Sequence, residues 1–262
     1  MKKLISFDVD MTLLDHADYT IPKSALKAIE LLKKAGNIVA VATGRDMANH
    51  HGKPIADIIN PDAMIELNGT KVTIGEKTLY RHYFDKGLLR RLADFCMKKG
   101  YAIGVTIGDD DYYFNQKIID SYDRKYWGGS FRNFKNPEDL FSMDIGTLAY
   151  VGEIEGAYDI EKNFSELKCP AFAAVHGADI IERGNSKAEG LKRLCDYYGI
   201  NLADTVAFGD SYNDIEIISE AGIGVAMGNA NEEVQAAADY ITTSVDEDGI
   251  RNAFIHFNII EE

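Results

Sequence analysis

The feature that most limits how this chain can fold is a recurring one. Short apolar runs end abruptly in small, polar or acidic residues, and helix-patterned segments separate them. Leu4 to Val9 is such a run, closing on Asp8 and Asp10. Asn37 to Ala42 runs into Thr43-Gly44-Arg45, Ala63 to Leu67 into Asn68-Gly69, and Thr205 to Phe208 into Gly209-Asp210. Between the first two, Ile21-Pro22 opens a stretch in which Ala25, Leu26, Ile29, Leu32 and Ala35 share one helical face, and Gly36 stops it. Strand and helix in alternation predict an α/β fold, a parallel sheet with helices on both faces. In such a sheet the carboxyl ends of the strands share one edge, where ligands bind.

The alternation resumes late in the chain. Ser186–Tyr198, Ile215–Ala221 and Glu232–Ala238 read as helices, and Gly222–Met227 and Tyr240–Thr242 as strands. The stretch between has another texture. From about Lys86 to Arg183 it is richer in Tyr, Phe and Asp and holds the single tryptophan, Trp127. It combines a clear helix, Leu88–Lys99, with strand-like runs at Tyr101–Ile107 and Thr147–Val151. This predicts an inserted α+β domain over 86–183, and a discontinuous core made of 1–85 and 184–262. Asn68-Gly69 signals a tight turn, and Lys71–Ile74 with Leu79–Tyr83 a hairpin around Gly75.

Charge narrows the function. Across 262 residues, 28 Lys and Arg face 42 Asp and Glu, a formal net charge of −14. That argues against unspecific nucleic-acid binding, which needs a basic surface. It leaves room for a small anionic substrate, because local donors and a metal can reverse the field inside a pocket. No apolar run is long enough to span a bilayer. Asp8 and Asp10 interrupt what would otherwise be the apolar segment of a signal peptide. Cys96, Cys169 and Cys195 are odd in number and far apart, as expected of reduced thiols in a cytoplasmic protein.

The strand ends carry the chemistry. Asp8 and Asp10 are two apart, so continued strand geometry would project them the same way. Two carboxylates held together repel unless a cation lies between them or one is protonated. The Thr43 hydroxyl, followed by Gly44 and a free helix N-terminus, makes an anion site or a simple helix cap. Lys187, in the first turn of a helix, opposes the helix dipole, so it is either solvated or aimed at an anion. Asp210 follows a strand, with Asp214 one helical turn further on, as ligand or as cap. Together these supply carboxylates for a hard divalent cation, a hydroxyl and an ammonium for a phosphate, and a spare acid/base. That is the equipment of phosphoryl transfer.

Other clusters read as structural. His50-His51, in a region patterned as helix, lacks metal-ligand spacing. Asp109-Asp110-Asp111 lacks the spaced ligands of a calcium loop and reads as a charged turn. The aromatic stretch Tyr112, Tyr113, Phe114, Tyr122, Tyr126 and Trp127 reads as domain core rather than a sugar pocket.

With these residues in view, the chain resembles the haloacid dehalogenase-like superfamily of phosphohydrolases and, within it, the Cof-type sugar-phosphate phosphatases. Asp8-Val9-Asp10-Met11-Thr12 fits the first motif, DxDxT. Thr43 fits the second, Lys187 the third, and Gly209-Asp210-Ser211-Tyr212-Asn213-Asp214 the fourth, GDxxND. Gly224–Ala230 and Asp246–Ile250 resemble stretches typical of the Cof-type branch. One departure is Met11, where Cof-type members usually have glycine.

The resemblance implies a Rossmann-like doubly wound core with a large cap between the second and third motifs. It implies Asp8 as the nucleophile that forms an aspartyl-phosphate, and Asp10 as general acid and base. It implies Thr43 and Lys187 on the phosphoryl oxygens, with Asn213 as a further contact. Mg2+ would sit on the Asp8 carboxylate, the Asp10 backbone carbonyl and Asp210. Asp214 would orient Lys187 or a metal-bound water, and Gly44 and Arg45 would border the substrate. The expected activity is Mg2+-dependent hydrolysis of a small phosphate monoester, a hexose phosphate first among them. A phosphomutase and a non-catalytic phosphate-ligand sensor are the alternatives. No nucleic-acid, membrane or obligate protein partner is expected.

Overall fold

In the computed structural model, which describes residues 2–49, 51–129, 132–172 and 176–260, the apolar runs are strands. The chain opens with β1 (Leu4–Phe7), α1 (Lys23–Lys34), β2 (Ile38–Ala42), α2 (Lys53–Ile59), β3 (Ala63–Glu66), β4 (Lys71–Ile74) and β5 (Lys77–Arg81). It continues with α3 (Lys86–Lys99), β6 (Ala102–Ile107), β7 (Asp110–Tyr113), α4 (Gln116–Trp127), β8 (Leu148–Val151), α5 (Ile154–Asn163), β9 (Leu167–Lys168) and β10 (Gly177–Glu182). It closes with α6 (Lys187–Tyr198), β11 (Thr205–Gly209), α7 (Ile215–Glu220), β12 (Ile223–Ala226), α8 (Glu232–Ala236), β13 (Tyr240–Ile241) and α9 (Gly249–His256). Two compact units result. One takes residues up to 47, 54–81 and 185 onward, and the other takes 48–53 and 82–184.

The first unit is an eight-stranded sheet in the order β13-β12-β11-β1-β2-β3-β4-β5. β13 through β3 run parallel, and the β4–β5 hairpin adds an antiparallel edge. Both faces of the central strands are covered. Ile5, Phe7, Val39, Val41, Val206 and Phe208 pack with Ala25, Ile29 and Leu32 of α1 and Ala253 and Phe254 of α9. Their sequence neighbours Leu4, Ile38, Ala40 and Ala207 face the other way, onto Leu191 and Leu194 of α6 and Ile217 and Ile218 of α7. Burial on both faces is why these strands read as continuous apolar runs instead of alternating ones. At α1, Pro22 occupies the N-cap, Lys33 and Lys34 favour the C-terminal dipole, and Gly36 turns the chain away at φ +83°.

The second unit is a five-stranded antiparallel sheet, β7-β6-β8-β10-β9. On one face, Leu88, Leu89, Leu92, Ala93 and Cys96 of α3 and Ala157 and Ile160 of α5 pack on Ile103, Leu148, Tyr150 and Ile180. Ala102 turns to the other face and packs with Tyr113 and with Ile119 of α4. Asp85 caps α3 by accepting from the Leu88 amide at 2.7 Å.

Several expectations need correction. β1 stops at Phe7, so strand alternation does not extend through Asp10. No helix follows Arg45 directly: His51 lies in a turn before α2 starts at Lys53, and His50 lies outside the described residues. Of the expected charged turn Asp109-Asp110-Asp111 only Asp109 lies in a turn, because β7 begins at Asp110 and Asp111 is buried. Its carboxylate accepts from Thr106 at 2.7 Å and pairs with Arg132 at 3.2 Å. Tyr113 and Phe114 do join the core of the unit, while Tyr122 and Tyr126 stack on one another; the side chain of Trp127 lies outside the described residues. The three cysteines are free and buried, and burial pushes the Cys96 thiol up to about 12 and Cys195 up to about 11. Among the described residues, no helix is long and apolar enough to cross a membrane.

Candidate active site

The carboxyl ends of β1 and β11 and the start of α6 deliver the site. Asp8 follows β1, and its amide still donates to the Phe208 carbonyl at 3.0 Å, which keeps it in line with β11. Asp210 follows β11 directly. Lys187 opens α6 behind the N-cap Ser186, whose hydroxyl accepts from the Glu189 amide at 3.1 Å. The lysine is 1% exposed. Its ammonium donates to Asp8 Oδ1 at 2.7 Å, to Asp214 Oδ1 at 2.7 Å and to Asn213 Oδ1 at 3.2 Å. Three donors are all an ammonium has. Burial with paired carboxylates therefore settles why Lys187 stands in a first helical turn.

Asp214 acts twice. Its second oxygen accepts from the backbone amides of Asp210 and Ser211, each at 3.1 Å. It thus fixes the turn after β11 while it holds Lys187. Gly209 makes this possible, because a Cβ there would lie 2.4 Å from the Asp214 carboxyl carbon. Asp210 Oδ1 accepts from the Thr12 hydroxyl at 3.0 Å.

Carboxylate oxygens of Asp8, Asp210 and Asp214 all lie within 4.8 Å of one another. One ammonium faces three buried carboxyl groups. Burial pushes Asp8 up to about 7 against the pull of Lys187, with Asp214 and Asp10 adding to the rise. Burial, then Asp8 and Asp214, push Asp210 up to about 8. Burial disfavours the charge on Lys187, but Asp214 and Asp8 outweigh it and hold the ammonium well above its ordinary value. The pocket is short of positive charge and its donors are all oxygens, which fits a hard divalent cation. Both Asp214 oxygens are already engaged. Asp8 and Asp210 each keep an oxygen with no hydrogen bond among the described residues, and these two would hold the ion.

Asp10 is turned elsewhere. Arg45 grips it with Nε on Oδ2 at 2.7 Å and Nη2 on Oδ1 at 2.5 Å, and His16 Nε2 meets Oδ1 at 2.7 Å. Burial opposes the charge, but the hydrogen bonds from Arg45 and His16 hold this carboxyl far below the usual carboxylate range. Arg45, expected at the substrate, is here the partner of Asp10. His16 escaped the sequence reading, because it and Asp10 lie in the loop between β1 and α1, where no helix or strand period applies.

Thr43 is fully buried, and its hydroxyl accepts from the Arg45 amide at 3.1 Å. The turn it begins is not a helix N-terminus, which corrects the expected helix start after Thr43. Instead the backbone is laced to the end of β3. The Thr43 amide donates to the Ile65 carbonyl at 2.8 Å, Leu67 to Arg45 at 3.2 Å and Asn68 to Thr43 at 3.1 Å. Gly44 lies against the Asn68 amide, and Asn213 Nδ2 donates to Asn68 Oδ1 at 3.0 Å. The structure therefore gathers Asp8, Lys187, Asp210, Asn213 and Asp214 into one cluster. It joins Thr43 and Gly44 to that cluster through Asn68, which the sequence showed only as a turn residue.

Comparison with known proteins agrees with this geometry. The family described as haloacid dehalogenase-like hydrolase matches residues 5–254. YkrA of Bacillus subtilis (strain 168) is 31% identical over 264 residues, covering 99% of each chain. The 5-amino-6-(5-phospho-D-ribitylamino)uracil phosphatase YitU of the same organism is 28% identical and covers 94% of each. Among solved structures, the HAD subclass IIB sugar phosphatase BT4131 is 28% identical with a TM-score of 0.87, covering 99% of this chain and 100% of its own. BT1666 from Bacteroides thetaiotaomicron, a phosphatase of the same superfamily, is 26% identical with a TM-score of 0.91, covering 99% and 96%. This chain belongs to the haloacid dehalogenase-like hydrolases, in their Cof-type branch.

Proposed function

We propose that the chain is a Mg2+-dependent phosphatase that hydrolyses a small phosphate monoester through an aspartyl-phosphate on Asp8. The observation that carries the reading is the buried cluster of Lys187, Asp8 and Asp214, with Asp210 beside it. An oxygen of Asp8 attacks phosphorus, and the bond to the ester oxygen breaks. Lys187, held by Asp214 and Asn213, stabilises charge that develops on the phosphoryl oxygens. Asp10 gives a proton to the leaving alkoxide and later takes one from the water that attacks the aspartyl-phosphate. Gripped by Arg45 and His16 it is an anion, so it takes on the acid role only after that grip loosens. Asp8 and Asp210 would hold Mg2+, which when bound neutralises the carboxylates and the phosphate.

The second unit, inserted between β5 and α6, is the specificity cap in this reading. The substrate class is a phosphorylated sugar or sugar alcohol. The activities named for BT4131 and YitU support that choice.

A panel of phosphorylated metabolites, ranked by kcat/KM with Mg2+ and with chelator, tests the reading. Asp8→Asn should abolish turnover, because an amide cannot be this nucleophile. Rapid quench of the parent followed by mass spectrometry should find Asp8 carrying a phosphoryl group. Near-normal activity in the Asp8→Asn variant would remove the covalent mechanism.

A further inference from the structure

We propose that Asn68 is a further phosphate-binding residue, whose side-chain Nδ2 donates to a phosphoryl oxygen seated over Gly44. The inference rests on the phosphatase reading above and assigns that site one more donor.

The amide orientations follow from chemistry. The Lys187 ammonium has donors only, so the Asn213 atom that meets it at 3.2 Å is the carbonyl oxygen. Asn213 must then present its NH2 to Asn68, and the Asn68 atom that meets it at 3.0 Å is in turn an oxygen. The relay starting at Lys187 thus fixes which way Asn68 faces. Its own NH2 is left over. It is buried in a residue 1% exposed and has no hydrogen-bond partner among the described residues. Leaving a buried donor unmet is costly, so such a group beside a catalytic cluster points to a partner.

The place for that partner is defined. A Cβ built on Gly44 would lie 3.2 Å from Asn68 Nδ2 and 3.7 Å from Asn213 Nδ2. Asn68 Oδ1 lies 3.5 Å from the same point, so the two amide groups pack closely against the bare face of Gly44, in the turn that carries Thr43. The backbone also holds Asn68 there under strain. Leu67 and Asn68 both adopt left-handed φ, +51° and +54°. Their amides are tied to the Arg45 and Thr43 carbonyls. A hydrogen-bond donor, fixed in orientation, unpaired among the described residues and lying against the Gly44 turn beside Lys187's own relay, suits an anion.

The test uses two variants and inorganic phosphate as the probe. Asn68→Asp keeps the shape, tolerates left-handed φ and keeps the oxygen that Asn213 needs, but replaces the free donor with an acceptor. Asn68→Gly tolerates the same φ and removes the whole side chain. Phosphate binding is measured by titration calorimetry with Mg2+ present, alongside KM and kcat for the best ester. The expected result is that both variants bind phosphate about tenfold more weakly or worse, the scale of a lost hydrogen bond to a charged group. A role confined to positioning Asn213 would spare Asn68→Asp and impair only Asn68→Gly, and that pattern overturns the proposal. Phosphate binding unchanged in both variants also overturns it, while leaving the phosphatase reading intact. A parent chain that binds no phosphate and turns over no ester overturns both.

Discussion

Met11 stands where Cof-type relatives usually carry glycine, and its backbone shows why glycine suits the place. Its φ is +58°, in the left-handed region. That conformation costs an ordinary residue about 1–2 kcal/mol. The surroundings over-determine it: the Met11 amide donates to the Leu14 carbonyl at 2.9 Å, and the Met11 carbonyl accepts from Asn229 Nδ2 at 2.9 Å. Asn229 in turn accepts from the Val245 amide at 3.0 Å, so the Gly224–Ala230 stretch typical of the branch anchors the first motif. The methionine side chain packs against the core beneath. Met11→Ala and Met11→Gly both lose that packing, but only the glycine variant loses the strain. Urea unfolding should place the glycine variant about 1 kcal/mol above the alanine variant. An alanine variant as stable as the glycine one would mean that the turn does not need the left-handed conformation.

Elements whose residues face one uniform environment were readable from sequence. β1, β2, β3 and β11 are buried almost throughout, so each shows as a predominantly apolar run, and α1 shows a clean apolar stripe. The position of Lys187 in a first helical turn left solvent or an anion open, and its pairing with Asp8 settles it for an anion. What stayed hidden depends on partners distant in sequence. The segment after Arg45 has helical composition, yet its turn is laced to the end of β3 and cannot start a helix. β7 opens with two acidic residues, Asp110 and Asp111, and Asp111 is tolerated there because Arg132 and Thr106 reach it. Asn68-Gly69 announced a turn but not its neighbour. A Cβ on Gly69, at φ +86°, would fall 1.9 Å from the Ser186 carbonyl at the start of α6. Gly75, in the β4–β5 turn at φ +55°, has open space instead. Gly75→Ala should therefore cost only the conformational penalty of about 1 kcal/mol. Gly69→Ala should cost clearly more in the same urea series and lower kcat as well, because it pushes the Asn68 turn away from Lys187. Equal costs at the two glycines would show that the close approach to α6 does not matter.

At the scale of the whole molecule, a chain with a formal charge of −14 concentrates carboxyl groups around one buried ammonium, and its stability must answer to pH and to cations. The sign follows from proton counting. Asp8 and Asp210, with values raised to about 7 and about 8 chiefly by burial, keep their protons in the folded protein where the unfolded chain has released them. Stability then falls as pH rises from the ordinary carboxylate range toward about 8. Asp10 runs the other way. Burial opposes its charge, but Arg45 and His16 depress its value, so its contribution is complete above the ordinary carboxylate range and disappears only in strong acid. Across the neutral range the first effect governs. A divalent cation on Asp8 and Asp210 would replace the protons and reverse the trend, so its binding releases protons and strengthens with pH. Thermal unfolding in chelator should give a Tm that drops between about pH 5 and about pH 8, and added Mg2+ should raise Tm more at the higher pH. In Asp210→Asn, both the drop in chelator and the gain from Mg2+ should shrink. A Mg2+ gain as large at about pH 5 as at about pH 8 would mean that the ion binds away from these two carboxylates.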